Sequence, residues 1–276
     1  MLVLPLTAAG CVPDSSASGE GGGAEVAAQP DPDRSVPVRR TALGGSARTK
    51  RQAAGNTLRD ENKDERESRR SQELAGERLL RPGHKGASVR SLQQRLEELG
   101  YWLGRSDGVY STLTEQAVVA FQGAEGLARD GVAGPKTFAK LSNAGPPRAR
   151  STKGDVIEID KSRGLILIAE DGKVRWAYHT STGTNEPYQH PNGQTYDADT
   201  PSGKWKIYRQ IDGWTTAPLG RLWRPKYFHT DGIALHGFSS VPPYPASHGC
   251  ARLSMQAINF IWSHDLAPKG RSVWVY

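Results

Sequence analysis

The chain has 276 residues, of which 36% are hydrophobic and 24% charged, which is enough for one or two globular domains. Its net charge is +7, and the stretch from Arg34 to Arg70 alone holds eleven basic against five acidic residues. The rest of the chain is therefore near neutral. Basic residues without interleaved aromatic residues do not form a nucleic-acid footprint, so no nucleic-acid partner is expected. No apolar run of about 20 residues is present to span a membrane.

Residues 1–11 form a short apolar run that ends in small residues and a cysteine, Ala8-Ala9-Gly10-Cys11. The pattern resembles the end of a bacterial lipoprotein signal, which would make Cys11 the lipidated residue. The alternative is a disordered N-terminus with an incidental cysteine. A lipidated Cys11 would attach the chain to a membrane.

Residues 12–78 run from a Ser/Gly/Ala-rich stretch through Pro-Asp repeats to a highly charged stretch. Such a segment cannot bury enough apolar surface to fold, so we expect a disordered basic spacer. As a flexible coil it would have an r.m.s. reach of about 45 Å. Fully stretched it would span about 220 Å, enough to lift a folded part from a membrane into an overlying wall. Contact with anionic lipids or wall polymers is one role for its charge, and a plain solvated spacer is the other.

Residues 79–143 show apolar side chains at helical spacing, interrupted by the turn signals Asp130-Gly131 and Gly134-Pro135. The spacing predicts three short helices packed as a small bundle. Pro146-Pro147 then falls in a linker over residues 144–150. The residues expected in the helical core are Val89, Leu92, Leu96, Leu99, Ala117, Val118, Phe121, Phe138 and Leu141.

Residues 151–276 are rich in short apolar runs separated by turn signals such as Arg163-Gly164 and Asp171-Gly172. The pattern predicts a mostly β domain, a sandwich or barrel. One helix is expected after Cys250, with Ser254 as its N-cap. The Pro-, Asn- and Gly-rich stretch 188–199 is expected to form a flap.

The most informative feature is His236 followed by Cys250, each beside a glycine, Gly237 and Gly249. A thiol is a useful nucleophile at neutral pH only when a base takes its proton or its thiolate is stabilised. Cys250 is expected just before a helix, whose N-terminus would lower the thiol pKa. The glycines would let the backbone approach a substrate. The pattern indicates cysteine acyl-transfer chemistry.

Two other interpretations of these residues are weaker. A zinc site built from His236, His248 and Cys250 lacks a second cysteine or a His-Glu-x-x-His pattern, so no metal is expected. In papain-like peptidases the cysteine precedes its base, and here only His264 follows Cys250. Along a helix those two residues would be about 20 Å apart. His179, His190, His229 and His264 have no motif around them, and we expect them to be ordinary surface or half-buried residues.

The combination of His236-Gly237 with Ser247-His248-Gly249-Cys250 and Arg252 resembles the L,D-transpeptidase (YkuD domain) family, over about residues 151–276. The segment Thr200-Pro201-Ser202-Gly203 resembles the family's Thr-Pro-x-Gly segment. The resemblance implies a YkuD-like sandwich or barrel that needs no cofactor.

Residue by residue, the resemblance makes Cys250 the nucleophile and His236 the base that forms its ion pair, oriented by the carbonyl of Gly237. The backbone of Gly249 and Cys250 would form an oxyanion hole. Ser247 and His248 would shape the site. Arg252 is a candidate for binding a substrate carboxylate, and a salt bridge that fixes the loop is the alternative role.

The helical segment resembles the peptidoglycan-binding domain type 1, through Val89-x-x-Leu92-Gln93, Gly100-Tyr101, Asp107-Gly108, Thr114-x-x-Ala117-Val118-x-x-Phe121-Gln122 and Asp130-Gly131-Val132-Ala133-Gly134. Tyr101, Trp102 and Tyr110 are expected to be exposed and are candidates for contacts with the wall. Packing is the alternative role of each.

Together the two resemblances imply an enzyme of the extracytoplasmic cell envelope whose partners are peptidoglycan stem peptides and glycan. It would join stem peptides by 3→3 cross-links through a cysteine acyl-enzyme and would be acylated by carbapenems. With Cys11 lipidated, it would be a membrane-anchored lipoprotein facing the wall. The alternatives are a hydrolase with the same site and a non-catalytic wall-binding protein.

Overall fold

The computed structural model describes residues 79–276. The predicted signal segment 1–11 with Cys11 and the predicted spacer 12–78 lie outside the described residues. The described part contains four helices and twelve strands, which confirms the prediction of a mostly β fold with a helix after Cys250. No helix between residues 79 and 276 is long and apolar enough to cross a membrane.

The first three helices precede all strands, and the fourth follows the Cys250 motif. They are α1 (Ala87–Glu98), α2 (Thr112–Ala124), α3 (Pro135–Leu141) and α4 (Met255–Ser263). The first sheet has the order β3-β2-β1-β12-β6, with β1 (Asp155–Asp160), β2 (Leu165–Glu170), β3 (Lys173–His179), β6 (Gly203–Lys206) and β12 (Ser272–Val275).

The second sheet has the order β11-β10-β9-β7, and β8 also pairs with β9. Its strands are β7 (Arg209–Gln210), β8 (Trp214–Ala217), β9 (Gly220–Tyr227), β10 (Ala234–Phe238) and β11 (Ala251–Ser254). A separate hairpin joins β4 (Pro187–Gln189) to β5 (Thr195–Asp197), in the stretch predicted as a flap.

Strand β2 explains how the layers are stacked. Its sequence Leu-Ile-Leu-Ile is fully buried, and successive side chains of a strand point to opposite faces. Leu165 and Leu167 pack into a core with the first three helices. Ile166 and Ile168 pack into a second core with the other sheet and α4. The strand is continuously apolar because both of its faces are covered.

The helices also close the edge of the first sheet by backbone pairing. Strand β3 is the edge strand, and its Ala177 donates its N–H to the carbonyl of Gly100 at 2.8 Å. The N–H of Trp102 in turn donates to the carbonyl of Ala177 at 3.0 Å. An uncovered edge strand invites pairing with another chain, and here the chain after α1 occupies that position.

Glu158 of β1 fastens the predicted linker to the sheet. Its side chain is fully buried and accepts hydrogen bonds from the N–H groups of Arg150 and Ser151, at 2.8 and 2.7 Å. The hydroxyl of Tyr276 donates to it at 2.6 Å. Burial alone would raise the pKa of Glu158, but these hydrogen bonds outweigh it and lower the pKa. The end of the linker is therefore held against the first sheet.

Gly123 of α2 lies directly against the turn between β1 and β2. A Cβ on Gly123 would collide with the backbone carbonyl oxygen of Arg163, which cannot move without shifting the β1–β2 turn. Gly123→Ala should therefore lower the free energy of unfolding by about 1–3 kcal/mol, as expected for overpacking. Denaturant titration measures this change.

Gly145→Ala is the matched control, because a Cβ on Gly145 would meet nothing within 4 Å. It should change the free energy of unfolding by less than about 0.5 kcal/mol. Equal stability of the two variants would contradict close packing between α2 and the sheet.

Candidate active site

The parallel pairing of β10 with β11 assembles the site. In this register His236 lies opposite Arg252, and Leu235 lies opposite Ala251, the residue after Cys250. Since side chains alternate between the faces of a sheet, His236 and Arg252 project from the same face. His236, Cys250 and Arg252 line one cavity of about 400 Å³. The structure thus brings the two halves of the motif together.

The local elements differ from the prediction in one respect that matters for chemistry. Strand β11 lies between Cys250 and α4, which begins only at Met255. Ser254 is the N-cap as predicted, and its side chain accepts the N–H of Ala257 at 3.2 Å. The expectation that Cys250 directly precedes the helix is wrong. The field of a helix end falls off within about one turn, so α4 offers little help to a thiolate.

His236 is held as a neutral imidazole. It is buried, and its Nδ1 lies 3.0 Å from the carbonyl oxygen of Gly237, the contact that the family resemblance implied. An Nδ1–H that donates to this carbonyl leaves Nε2 as the basic atom. Burial lowers the pKa of His236 to about 4, and the positive charge of Arg252 acts in the same direction, against the Gly237 hydrogen bond. At neutral pH His236 can therefore accept a proton.

The thiol of Cys250 is neutral at rest as well. Burial raises its pKa above the ordinary thiol value, although the N–H of Ala234 and the charge of Arg252 favour the thiolate. The Sγ lies 4.0 Å from the carbonyl oxygen of Gly232. This direction is opposite to the lowering expected from the helix N-terminus, and the ion pair between Cys250 and His236 stays a prediction. Burial thus favours the neutral form of both groups, which line one cavity.

Ser247 fastens the turn that presents the thiol. Its Oγ donates to the carbonyl oxygen of Cys250 at 2.6 Å and accepts the N–H of Gly249 at 3.1 Å. The N–H of Gly249 is therefore engaged inside the turn, and the N–H of Cys250 is the remaining predicted oxyanion donor. His248 is exposed at the cavity, with its ring 4.6 Å from that of Tyr188 in the β4–β5 hairpin.

Thr200 braces the same turn from outside. It is fully buried, and its Oγ1 donates to the carbonyl oxygen of Gly249 at 2.7 Å while accepting the N–H of Gly183 at 3.0 Å. In the sequence, Thr200 stood out only as part of a segment leading into a strand. The structure shows that its hydroxyl joins two backbone segments at the site.

The two motif glycines are required for reasons other than the approach of a substrate. A Cβ on Gly237 would come within 2.7 Å of Ile258 and 2.8 Å of Trp223, so this glycine lets α4 and β9 pack closely on β10. Gly249 has a φ of +129°, and a Cβ there would lie 2.7 Å from the carbonyl oxygen of Asp199. Both positions serve backbone packing and turn geometry.

The loop over residues 239–249, which we call the motif loop, is held by groups from distant parts of the chain. Gln116 of α2 donates its side-chain N–H to the carbonyl oxygen of Val241 at 3.1 Å. The Oγ of Ser181 donates to the carbonyl oxygen of Tyr244 at 2.7 Å. The first helical unit therefore touches the loop that leads to Cys250. No sequence signal pointed to Gln116.

His179 is a second anchor of the motif loop, not an ordinary surface histidine. It is buried, and its ring nitrogens lie 3.2 Å from the carbonyl oxygen of Gly164 and 2.9 Å from that of Pro242. Burial lowers the pKa of His179 to about 4. A neutral imidazole has one N–H, so it donates to one of these two carbonyls at a time.

Two hairpins wall the cavity, and its charge is asymmetric. The β4–β5 hairpin contributes Tyr188 and His190. The β8–β9 hairpin, which no sequence pattern predicted, contributes residues 215–219, 221 and 222. Three arginines but only one carboxylate line the cavity. A basic cleft attracts anionic ligands. The charged lining residues are Arg209, Arg221, Arg252 and Asp231.

Arg252 is half-buried with its guanidinium 4.3 Å over the ring of Phe238. It forms no ion pair with any carboxylate of residues 79–276, so the alternative role as a loop-fixing salt bridge finds no support there. Its planar fork faces the same cavity as the thiol and suits a carboxylate.

The three aromatic residues predicted as exposed wall contacts have different positions. Tyr101 and Tyr110 are each only 1% exposed, so the expectation of exposed contacts is wrong for both. Tyr101 packs edge-on against Phe121, and the hydroxyl of Tyr110 donates to the carbonyl oxygen of Gly131 at 2.7 Å. Trp102 is half-buried and lines a second cavity, away from Cys250.

The zinc interpretation has no counterpart in the described residues. Among residues 79–276, no three His, Cys, Asp or Glu side chains cluster as metal ligands would. Cys250 is a free thiol.

The raised thiol pKa predicts how Cys250 responds to pH. Its alkylation by iodoacetamide should be slower than that of free cysteine at pH 7 and should rise with pH through the alkaline range. Arg252→Ala removes a positive charge that favours the thiolate, so it should raise the pKa further and slow alkylation at pH 7. Arg252→Lys keeps the charge and should react nearly as the unmodified chain does.

Peptide mapping by mass spectrometry, from about pH 5 to about pH 10, separates labelling of Cys250 from that of Cys11. Rapid labelling of Cys250 near the acid end of this range would contradict the neutral resting site and indicate a preformed ion pair.

The hydroxyl of Thr200 should contribute more to the folding free energy than its methyl group does. Thr200→Val leaves the buried Gly249 carbonyl and Gly183 N–H without their partner, which should cost about 1–3 kcal/mol of folding free energy. Thr200→Ser keeps the Oγ and should cost less. Chemical denaturation of both variants measures the difference, and equal losses would show that packing of the methyl group dominates.

Comparison with known proteins agrees with this architecture. Residues 154–275 match the family model of the L,D-transpeptidase catalytic domain (YkuD), and residues 85–141 match that of a peptidoglycan binding domain. The fold resembles the crystal structure of an L,D-transpeptidase from Xylanimonas cellulosilytica, with 46% sequence identity and a TM-score of 0.69. The similarity covers 72% of this chain and 98% of that one.

Two curated relatives are similar over shorter stretches. The N-acetylmuramoyl-L-alanine amidase CwlM of Mycobacterium tuberculosis is 41% identical over 56 residues, which is 20% of this chain and 14% of the relative. The N-acetylmuramoyl-L-alanine amidase CwlL of Bacillus licheniformis is 38% identical over 74 residues, 26% of this chain and 21% of the relative. The chain thus spans between 14% and 21% of these two proteins.

The amidases share too little of their length to define this protein, whereas the transpeptidase structure is matched almost end to end. With the His236 and Cys250 motifs on one cavity of the matched catalytic domain, the chain belongs to the L,D-transpeptidase (YkuD) family and carries a peptidoglycan binding domain ahead of the catalytic domain.

Proposed function

We propose that this protein forms 3→3 cross-links in peptidoglycan through an acyl-enzyme on Cys250. One observation carries the proposal: a thiol and a buried neutral imidazole line the same cavity of an L,D-transpeptidase catalytic domain. A base that is neutral at pH 7 can take the thiol proton, and a thiol without its proton can attack a carbonyl.

In the acylation step, Nε2 of His236 takes the proton of Cys250 as Sγ attacks the carbonyl carbon of the third, diamino acid residue of a tetrapeptide stem. Because both groups are neutral at rest, charge develops only as the reaction proceeds. The N–H of Cys250 would donate to the developing oxyanion. Collapse breaks the peptide bond, and His236 returns the proton to the departing amine of the terminal D-Ala. A thioester remains on Cys250.

In the transfer step, the side-chain amine of a second stem attacks the thioester carbonyl. His236 takes a proton from this amine and delivers it to the sulfur that leaves. The products are an amide between two third-position residues and a free Cys250 thiol. Water in place of the amine would give a tripeptide, and this is the hydrolase alternative.

The charge of the cavity fits an anionic donor stem. Arg252 lines the same cavity as the thiol and forms no ion pair with a carboxylate of residues 79–276, so it is suited to bind a carboxylate of the stem peptide. Arg209 and Arg221 extend the positive charge along the cavity walls. Long-range attraction of this kind raises the encounter rate with a negatively charged substrate and weakens with salt.

The peptidoglycan-acting domains place the protein in the cell envelope. We further propose that Cys11 is lipidated and anchors the chain to a membrane, with residues 12–78 as the spacer that lets the folded part reach the wall. Carbapenems, which carry a reactive acyl group, should form an adduct on Cys250.

The proposed function is tested by incubating the full chain with disaccharide-tetrapeptide and analysing the products by mass spectrometry. Cross-linked dimer and free D-Ala should form with the unmodified chain and not with Cys250→Ala. The matched control is Cys11→Ala, which removes the other cysteine and should leave dimer formation unchanged.

Three other outcomes would each contradict a part of the proposed function. Tripeptide without dimer would show hydrolysis. Dimer formation by Cys250→Ala would refute the acyl-enzyme. No conversion, together with no carbapenem adduct on Cys250, would leave a wall-binding protein with an inactive site.

A further inference from the structure

A second groove runs along the junction between the first helical unit and the catalytic domain. It consists of two cavities, of about 510 and 300 Å³, which share Glu97, Arg175 and Trp176 in their lining. Its walls come from the end of α1 and the following chain, from β3, and from the end of α4. Since none of these elements forms the groove alone, it exists only where both domains pack together. We call it the junction groove.

The floor of the junction groove is aromatic. Trp102 and Trp176 each lie 5.4 Å from the ring of Phe260, centroid to centroid, and His264 stacks on Phe260 at 3.9 Å. The two tryptophans and Phe260 are half-buried and His264 is exposed, so part of this surface remains accessible. Accessible aromatic groups that line a concave site are typical of ligand-binding surfaces.

The rim of the junction groove is polar, and its charges are largely paired. Glu97, Glu98, Glu170 and Arg175 line it, while Arg95 pairs with Glu98 at 3.1 Å and Arg271 lies 4.0 Å from Glu170. Arg175 pairs with Glu170 at 3.4 Å, and their side chains are 65% and 40% exposed. An exposed pair of this kind contributes little to stability, and its oxygen and nitrogen atoms stay available for hydrogen bonds with a ligand.

These charges select among the parts of the proposed substrate. A stem peptide carries free carboxylates. The Cys250 cavity, with three arginines and one carboxylate, would attract them, whereas the largely paired charges of the junction groove would not. A sugar strand is neutral along its backbone. Each sugar ring presents an apolar C–H face that can stack on an aromatic ring and an edge of hydroxyl and amide groups that can hydrogen-bond to carboxylates and a guanidinium.

We propose that the junction groove binds the glycan strand of peptidoglycan, a linear β-1,4-linked amino-sugar polymer, while the stem peptide enters the Cys250 cavity. The inference rests on the proposed function, because it assigns a place to the remainder of the same substrate. The aromatic floor, the hydrogen-bonding rim and the largely paired charges all fit a neutral polyhydroxylated chain.

The test is calorimetric titration of the full-length Cys250→Ala variant with chitohexaose, a glycan that carries no stem peptide. Saturable binding is expected. Arg175→Ala and His264→Ala change exposed groups of the groove, and each should weaken binding by about three- to tenfold. Trp102→Ala should weaken it by about tenfold or more. The two exposed positions decide the test if loss of the half-buried Trp102 impairs folding.

Lys136→Ala is the control, because it removes an exposed positive charge on α3 outside the groove and should bind chitohexaose like its parent. No binding at about 10 mM chitohexaose, or wild-type affinity in both exposed variants, would overturn the proposal. Displacement of chitohexaose by an anionic stem tetrapeptide would overturn it too, because the two ligands would then share one site.

The two proposals fail separately. Binding is measured without Cys250, so it does not depend on catalysis. Chitohexaose binding without cross-linking would refute only the proposed function, and cross-linking without chitohexaose binding would refute only the junction groove.

Discussion

The parallel pairing of β10 with β11 is the constraint on which the site depends. It aligns His236 with Arg252 and sets Cys250 at the end of the neighbouring strand, so three reactive groups converge although fourteen residues separate base from nucleophile. Parallel neighbours require a crossover, and here the motif loop provides it without a helix. A shift of this strand pairing by one residue would turn either His236 or Arg252 to the other face of the sheet, away from the cavity.

The rest of the fold keeps this crossover in place. Ser247 and Thr200 tie the turn at Gly249 to its surroundings, while His179 and Gln116 hold the preceding part of the motif loop. Preorganisation of this kind fixes the nucleophile before substrate arrives, which is how a site avoids reorganisation cost during reaction. Gln116 comes from α2, so the peptidoglycan-binding unit contributes directly to the support of the catalytic loop.

The fold class and the motif residues could be predicted because they depend on local patterns. Apolar runs between turn signals located β1, β2 and β3, and Ser254 marked the start of α4. Strand β11 escaped prediction because it is only four residues long and lies directly against the helix. A short strand forms because of the strand with which it pairs, and the local sequence does not identify that neighbouring strand.

Burial explains the remaining differences. The hydroxyl groups of Tyr101 and Tyr110 led to the prediction that both residues are exposed. In the structure the ring of Tyr101 packs on Phe121, and the hydroxyl of Tyr110 donates a hydrogen bond to a backbone carbonyl. The raised pKa of Cys250 has the same origin, since desolvation depends on the surrounding protein and not on neighbours in the sequence. Position 237 likewise requires a glycine because Ile258 and Trp223 pack against it, and these two residues are distant in the sequence.

The shared core of β2 bears on how this architecture can be divided. Leu165 and Leu167 are buried only because the first three helices cover them, so a chain truncated to residues 151–276 would expose an apolar sheet face and a free edge at β3. We expect the two parts to unfold in a single calorimetric transition, since unfolding of either part would expose the apolar core that they share. Replacing the helical unit by a different one would therefore require a matching change in the alternate leucines of β2.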